Sequence, residues 1–180
     1  MFRAFSAMAA MVLIVTQTRA AETKFALNGD NTKVVFTGHK ADGKHVGGFK
    51  TIAGAVTIEG ADLATLKIAV DIDMNSTYSD DEKLTGHLKS PDFFGVKANP
   101  KSKFASTKVE KSDAGYTVTG NLTLNGKSKE VNFPAKIEVD GDTLKLTATF
   151  KIDRNNWGIT YGKGKINDEV DLSIDLTAKK

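Results

Sequence analysis

Beyond residue 20, apolar and polar residues alternate with a period of two along much of the chain. Leu66, Ile68, Val70, Ile72 and Met74 form one such row. Tyr116, Val118, Leu122 and Leu124 form a second, interleaved with Thr117, Thr119, Asn121 and Thr123. Val131, Phe133, Ala135, Ile137 and Val139 follow, then Leu144, Leu146, Ala148, Phe150 and Ile152, and finally Val170, Leu172, Ile174 and Leu176. A two-residue period is that of a β-strand with one face on the core and one in water, the habit of antiparallel sheets. Asp71 and Asp73 then fall on the outer face, as solvated charge rather than a catalytic pair.

The residues between the rows are turn formers. Asn125-Gly126 is the pair that a type I′ hairpin requires. Asp140-Gly141-Asp142, Asp42-Gly43, Asn28-Gly29-Asp30 and Asp113-Ala114-Gly115 mark further reversals. Short strands joined by such turns predict an all-β sandwich or barrel.

One segment breaks the rhythm. Ser79-Asp80-Asp81-Glu82 has the spacing of a capping box with Ser79 as N-cap. Leu84 and Leu88 follow one helical turn apart, and Ser90-Pro91 offers a second helix start ahead of Phe93 and Phe94. One or two short helices are predicted over residues 80–96, filling the core or lidding the sheet.

The N-terminus reads differently again. Arg3 precedes a nearly unbroken apolar run from Ala4 to Val15, and Thr18-Arg19-Ala20 offers small residues at a cleavage site. That order is a secretory signal over residues 1–20, with one domain over residues 21–180 and a periplasmic destination. No integral membrane segment is predicted in the remainder. The formal charge of +3, lowered by two when Arg3 and Arg19 leave, is too small to indicate a nucleic-acid partner. With no cysteine, thiol catalysis, thiolate metal sites and a lipidated N-terminus drop out, and stability must come from the core.

Several stretches, taken in order, resemble the YceI-like family. They are Val34-Val35-Phe36-Thr37-Gly38-His39, Gly48-Phe49 with Gly54, Ser76-Thr77-Tyr78-Ser79, and His87-Leu88-Lys89-Ser90-Pro91-Asp92-Phe93-Phe94. Asn99-Pro100-Lys101-Ser102-Lys103-Phe104-Ala105-Ser106-Thr107 and Gly120-Asn121-Leu122-Thr123-Leu124-Asn125-Gly126-Lys127-Ser128-Lys129 continue the match. Phe25 stands where the family often has Trp or Tyr, Asn99 replaces a tyrosine, and Leu84-Thr85-Gly86 replaces a charged Arg-Asp pair.

The resemblance implies a single eight-stranded antiparallel lipocalin-like barrel around a long apolar tunnel. It further implies an exported carrier or reservoir for an isoprenoid-like lipid of polyprenyl or quinone type, with room for a homodimer. Eight strands leave an interior just wide enough for side chains or one slender ligand. Candidate tunnel-lining residues are Phe36, Phe49, Ile72, Leu84, Leu88, Phe93, Phe94, Phe104, Phe133, Phe150 and Trp157. The alternative is a filled barrel serving as a protein-interaction module through its edge strands or the Asp80–Phe94 segment.

Polar candidates are few. The three histidines, His39, His45 and His87, include no closely spaced pair, so no metal site is predicted. His39, at a position that recurs in the family, and His87 are candidates for touching a ligand head group. Arg154 is the only arginine beyond residue 20. Its planar fork either clamps a pyrophosphate or pairs with Asp153 or another rim carboxylate. No nucleophile, phosphate-loop or metalloprotease motif is present, so a binding protein is expected rather than an enzyme, with no cofactor required.

Overall fold

The computed structural model describes residues 20–113 and 115–180. The segment read as an export signal lies outside the described residues up to position 19, as does Ala114 of the 113–115 turn. The alternating rows all become strands: β1 (Glu22–Asn28), β2 (Thr32–Lys40), β3 (Gly43–Phe49), β4 (Ile52–Glu59), β5 (Lys67–Asp73) and β6 (Thr77–Ser79). After α1 (Glu82–Leu88) come β7 (Lys101–Ser112), β8 (Gly115–Leu124), β9 (Lys127–Asp140), β10 (Thr143–Asp153) and β11 (Ile166–Lys179). All belong to one antiparallel sheet, which curls into a lipocalin-like barrel.

Eleven strands replace the eight expected, because three passes of the chain are kinked into pairs. β1 pairs with β4 through Phe25↔Val56, while β2 pairs with β3 through Val35↔Gly48. Residues 22–40 therefore run as one bent pass beside residues 43–59. The third pass bends too: β4 pairs with β5 at Ile52↔Ile72, β3 pairs with β6 at Gly48↔Tyr78, and the 3-10 turn Met74–Ser76 joins them. From β7 onward each strand is a full pass, and Ile174↔Val34 brings β11 back onto β2. Eight passes thus close a ring.

Asn28-Gly29-Asp30 is a kink within the first pass and not a reversal. Asn28 and Asn31 lock it: Asn28 Oδ1 accepts from Asp30 and Asn31 backbone N–H groups, and Asn31 Oδ1 accepts from Asn28 N–H. Gly29 allows the close approach, since a Cβ there would sit 2.1 Å from the Lys50 carbonyl oxygen. The other turns behave as their residues dictate. Asn125 and Gly126 have φ of 48° and 71°, the doubly positive pair of a type I′ hairpin between β8 and β9.

The helix starts two residues later than the capping-box spacing suggests. Asp81 is the N-cap, its carboxylate accepting from Leu84 N–H at 2.7 Å. Ser79 cannot serve, because it is the last residue of β6 and is paired with Gly47. Residues 90–98 form successive turns rather than a second helix, with Phe93 N–H and Gly95 N–H both donating to the Ser90 carbonyl.

Inward side chains form two clusters at opposite ends of the barrel. One gathers Phe25, Val56, Val118, Leu144 and their neighbours into a closed core. The other gathers Phe36, Met74, Leu88, Phe93 and Trp157 beneath α1 and the turns that follow it.

Candidate functional site

The second cluster does not fill its end of the barrel. A cavity of about 180 Å³ remains there, more than ten times the ~10–15 Å³ that admits one water, so it is not a packing flaw. Its walls come from strands at the α1 end: Val34 and Phe36 of β2, Phe49 of β3, Ile72 of β5, Leu122 and Leu124 of β8, Ile152 of β10, and Val170 and Leu172 of β11. Leu84 and Leu88 of α1 and Phe93 and Phe94 of the following turns close it laterally. Val34, Phe49, Ile72, Leu84, Phe94, Leu122, Val170 and Leu172 are each only half-buried, although they point inward.

Three rings frame the wall between β2, β3 and the turns. Phe36 lies 5.7 Å from Phe49 and 6.0 Å from Phe94, and Phe49 lies 6.2 Å from Phe94, centroid to centroid. Phe36 takes this position because its strand partner is Gly47, where a Cβ would fall 2.3 Å from the ring. Edge-to-face and tilted contacts of this kind hold rings in fixed orientation, which keeps the wall from collapsing into the space.

Of the aromatic and aliphatic candidates from the sequence, Phe36, Phe49, Ile72, Leu84, Leu88, Phe93 and Phe94 come together on the cavity wall. Four others lie elsewhere. Phe133 stacks on Phe150 at 4.3 Å and touches Phe104 at 5.7 Å; Phe133 belongs to the closed core, Phe104 packs against it, and Phe150 packs against both clusters. Trp157 is buried and donates its indole N–H to the Leu122 carbonyl at 3.0 Å, behind the wall. Conversely, the aliphatic lining residues Val34, Leu122, Leu124, Ile152, Val170 and Leu172 were not singled out by sequence reasoning. Most sit in the alternating rows, but the rows carry no mark of which inward residue faces empty space.

Polar groups gather at the rim. His39, Lys40 and His45 border the cavity. His39 Nε2 lies 2.7 Å from Asp171 Oδ2, tying β2 to β11. His45 Nδ1 lies 2.9 Å from Asp80 Oδ1, and Val46 N–H donates to Asp80 Oδ2 at 3.0 Å. The Val46 N–H, with the His45 ring beside it, holds the Asp80 carboxyl below its ordinary value. His87 is set back from the wall. Its Nε2 meets Asp92 Oδ2 at 2.8 Å, and its ring packs edge-on against Phe93 and Tyr161.

Arg154 touches the cavity, but its fork is turned to its own loop. Nε donates to the Asn167 carbonyl, one terminal nitrogen to those of Ile159 and Tyr161, and the other to that of Ile166 and to Asp168 at 3.5 Å. All five N–H groups are occupied. Asp153, the expected neighbour, instead caps the Arg154–Trp157 turn through Asn155 N–H. Arg154 thus staples the loop that carries Ile159 and Ile166 onto the cavity.

Among the described residues no group of three or more His, Asp or Glu side chains could hold a metal ion, and no helix is long and apolar enough to cross a membrane. The site is chemically simple: an apolar pocket with two carboxylate-paired histidines and one lysine at one rim.

The YceI-like domain profile matches residues 25–178. A UPF0312 protein of Serratia proteamaculans is 32% identical over 174 residues, covering 93% of this chain and 91% of that one. Protein YceI of Salmonella newport is 31% identical over 176 residues, covering 94% and 92%. Among solved structures, BcnA of Burkholderia cenocepacia superposes with a TM-score of 0.76 at 25% identity, over 82% of this chain and 96% of that one. A polyisoprenoid binding domain from Saccharophagus degradans shares the fold, with a TM-score of 0.68 at 12% identity over 87% and 97% of the two chains.

Proposed function

The chain belongs to the YceI-like family, and from that premise we propose that it holds a long isoprenoid-like lipid, of polyprenyl or quinone type, in the cavity beneath α1. It serves there as a carrier or reservoir rather than as a catalyst. The observation that carries this reading is the unfilled space itself, walled by aromatic rings and aliphatic side chains in a barrel whose other end holds a buried core around Phe25, Val56, Val118 and Leu144. Burying apolar chain in such a space yields roughly 25 cal/mol for each Å² taken from water, enough for firm binding without specific polar contacts. The S. degradans domain of the same fold is a polyisoprenoid binder, which supports this ligand class.

The polar end of the ligand rests at the rim. His39 and His45 can each present a ring nitrogen, and Lys40 a charge, to a phosphate or quinone oxygen. Arg154 contributes by holding its loop in place, its donors being occupied. The apolar run before Thr18-Arg19-Ala20 supports export, so the lipid is bound in the periplasm.

Native mass spectrometry of protein purified from its own host, followed by organic extraction, tests the reading and reports the oligomeric state as well. A stoichiometric long-chain lipid is expected. A bare protein mass, with no uptake of added solanesol or ubiquinone, would overturn it and favour a protein-interaction role.

A further inference from the structure

We propose that Phe150, stacked on Phe133 one strand step below the cavity lining, blocks the barrel there and so limits the length of apolar chain that the protein accepts. This inference rests on the lipid-binding reading above and adds a limit on ligand reach.

Neighbouring strands change character over the same two-residue step. On β10, Ile152 lines the cavity, Phe150 does not, and Ala148 is part of the closed core. On β11, Leu172 lines it, while Ile174 packs against the closed core. On β7, Ser102 lines it and Phe104 stands one step deeper. The transition therefore runs across the barrel as a layer, and Phe150 packs against both clusters.

The rings make that layer a plug. Phe150 and Phe133 are stacked face to face at 4.3 Å and 8°, and Phe104 leans on Phe133 at 5.7 Å. Phe104 can lie across the barrel because Gly120 leaves its place free; a Cβ there would be 2.6 Å from the ring. Phe150 is half-buried and packs against both clusters, so it stands where the two meet. Beyond it the interior is closed: Val118 is wholly buried and Ala148 nearly so. An apolar chain that passes the lining residues Ile152 and Leu172 meets the Phe150 ring one strand step deeper and must stop or double back. Removing that ring deepens the space by about one strand step of two residues, roughly 6.6 Å.

The test uses a homologous series of straight-chain alcohols, from decanol to octadecanol, titrated calorimetrically into the purified protein and into Phe150→Ala and Phe150→Leu variants. Affinity is expected to rise by roughly fourfold for each methylene that still fits, then to level off. In Phe150→Ala the plateau moves to longer alcohols while decanol affinity stays within about threefold; Phe150→Leu moves it part of the way. A cooperative urea transition verifies that each variant is folded, and Phe150→Leu retains the test should the alanine variant unfold. An unmoved plateau in a folded variant, or a wild-type affinity that climbs along the whole series without levelling, overturns the floor but leaves lipid binding standing. Failure to bind any alcohol overturns the length limit, and failure to take up solanesol and ubiquinone as well overturns the lipid-binding reading.

Discussion

The two ends of this barrel share the long strands β7 to β11 and yet behave as different materials. On β10, Leu144 and Leu146 are packed into the core at one end, whereas Ile152 at the other faces a void. On β11, Leu176 and Ala178 are buried, whereas Val170 and Leu172 are half-exposed around the cavity. Both ends line their inner face with apolar side chains, so hydrophobic character alone does not separate them. What separates them is whether the facing side chains can reach one another. At the closed end Phe25 and Val56 meet Val118 and Leu144 with no exposure at all, the close packing expected of an interior. At the open end Phe36, Phe49 and Phe94 brace one another along the wall, and Trp157 is pinned to the Leu122 carbonyl. Rings committed to the wall cannot also fill the centre. Empty apolar space is thereby kept by rigidity, as a ligand site requires.

The largest expected effect of a substitution separates the two ends directly. Phe25→Ala in the closed core should cost about 3–5 kcal/mol of folding free energy, because the surroundings cannot close over the lost ring. Leu172→Ala should cost about 1–2 kcal/mol, since part of that side chain already faces the cavity. Urea denaturation of the two variants measures the gap; equal losses would break the distinction between packed and hollow ends.

Next in size is the staple of the open end. Arg154→Lys leaves several carbonyls of residues 159–167 without a donor, because one ammonium cannot reproduce the fork. A loss of about 1.5–3 kcal/mol is expected, with faster amide exchange confined to the loop around Ile159 and Ile166. Exchange that rises equally in the closed core would show that Arg154 supports the whole barrel instead.

The smallest effect is a pH dependence at the rim. The Asp80 carboxyl is held below its ordinary value chiefly by Val46 N–H. A carboxyl depressed in the folded protein adds stability above its unfolded value, and that contribution fades as pH falls through the folded one. Val46 N–H should therefore exchange faster only on acidification below the usual carboxylate range. In Asp80→Ala, which removes the acceptor, it should be fast already at neutral pH, with no further step, while the Phe25 and Val118 amides stay unchanged.

Much of this was legible in residues taken singly. The alternation around Phe133, Ala148 or Leu172 places each inside, and Asn125-Gly126 places its hairpin. Other signals were local and misled. Ser79 has the right spacing for an N-cap, yet its backbone is held in β6 and Asp81 takes the role. Asn28-Gly29-Asp30 has turn chemistry, which the fold uses to kink a strand and not to reverse it. Arg154 was visible as an isolated arginine, but apart from Asp168 its acceptors are main-chain carbonyls up to thirteen residues away, which no side-chain pattern records.

By itself, then, the sequence determined the strand class, the parity of each side chain, most of the turns and the family. Those properties depend on neighbours within a few residues, and a two-residue period is enough to express them. Only the tertiary structure decided that eight passes come as eleven strands, that Phe104, Phe133 and Phe150 plug the barrel, and that Phe36, Phe49 and Phe94 frame an opening. Depth along a barrel axis is set by the register between strands far apart in the chain. Two phenylalanines of identical parity therefore become a wall or a floor according to which partners that register brings opposite them.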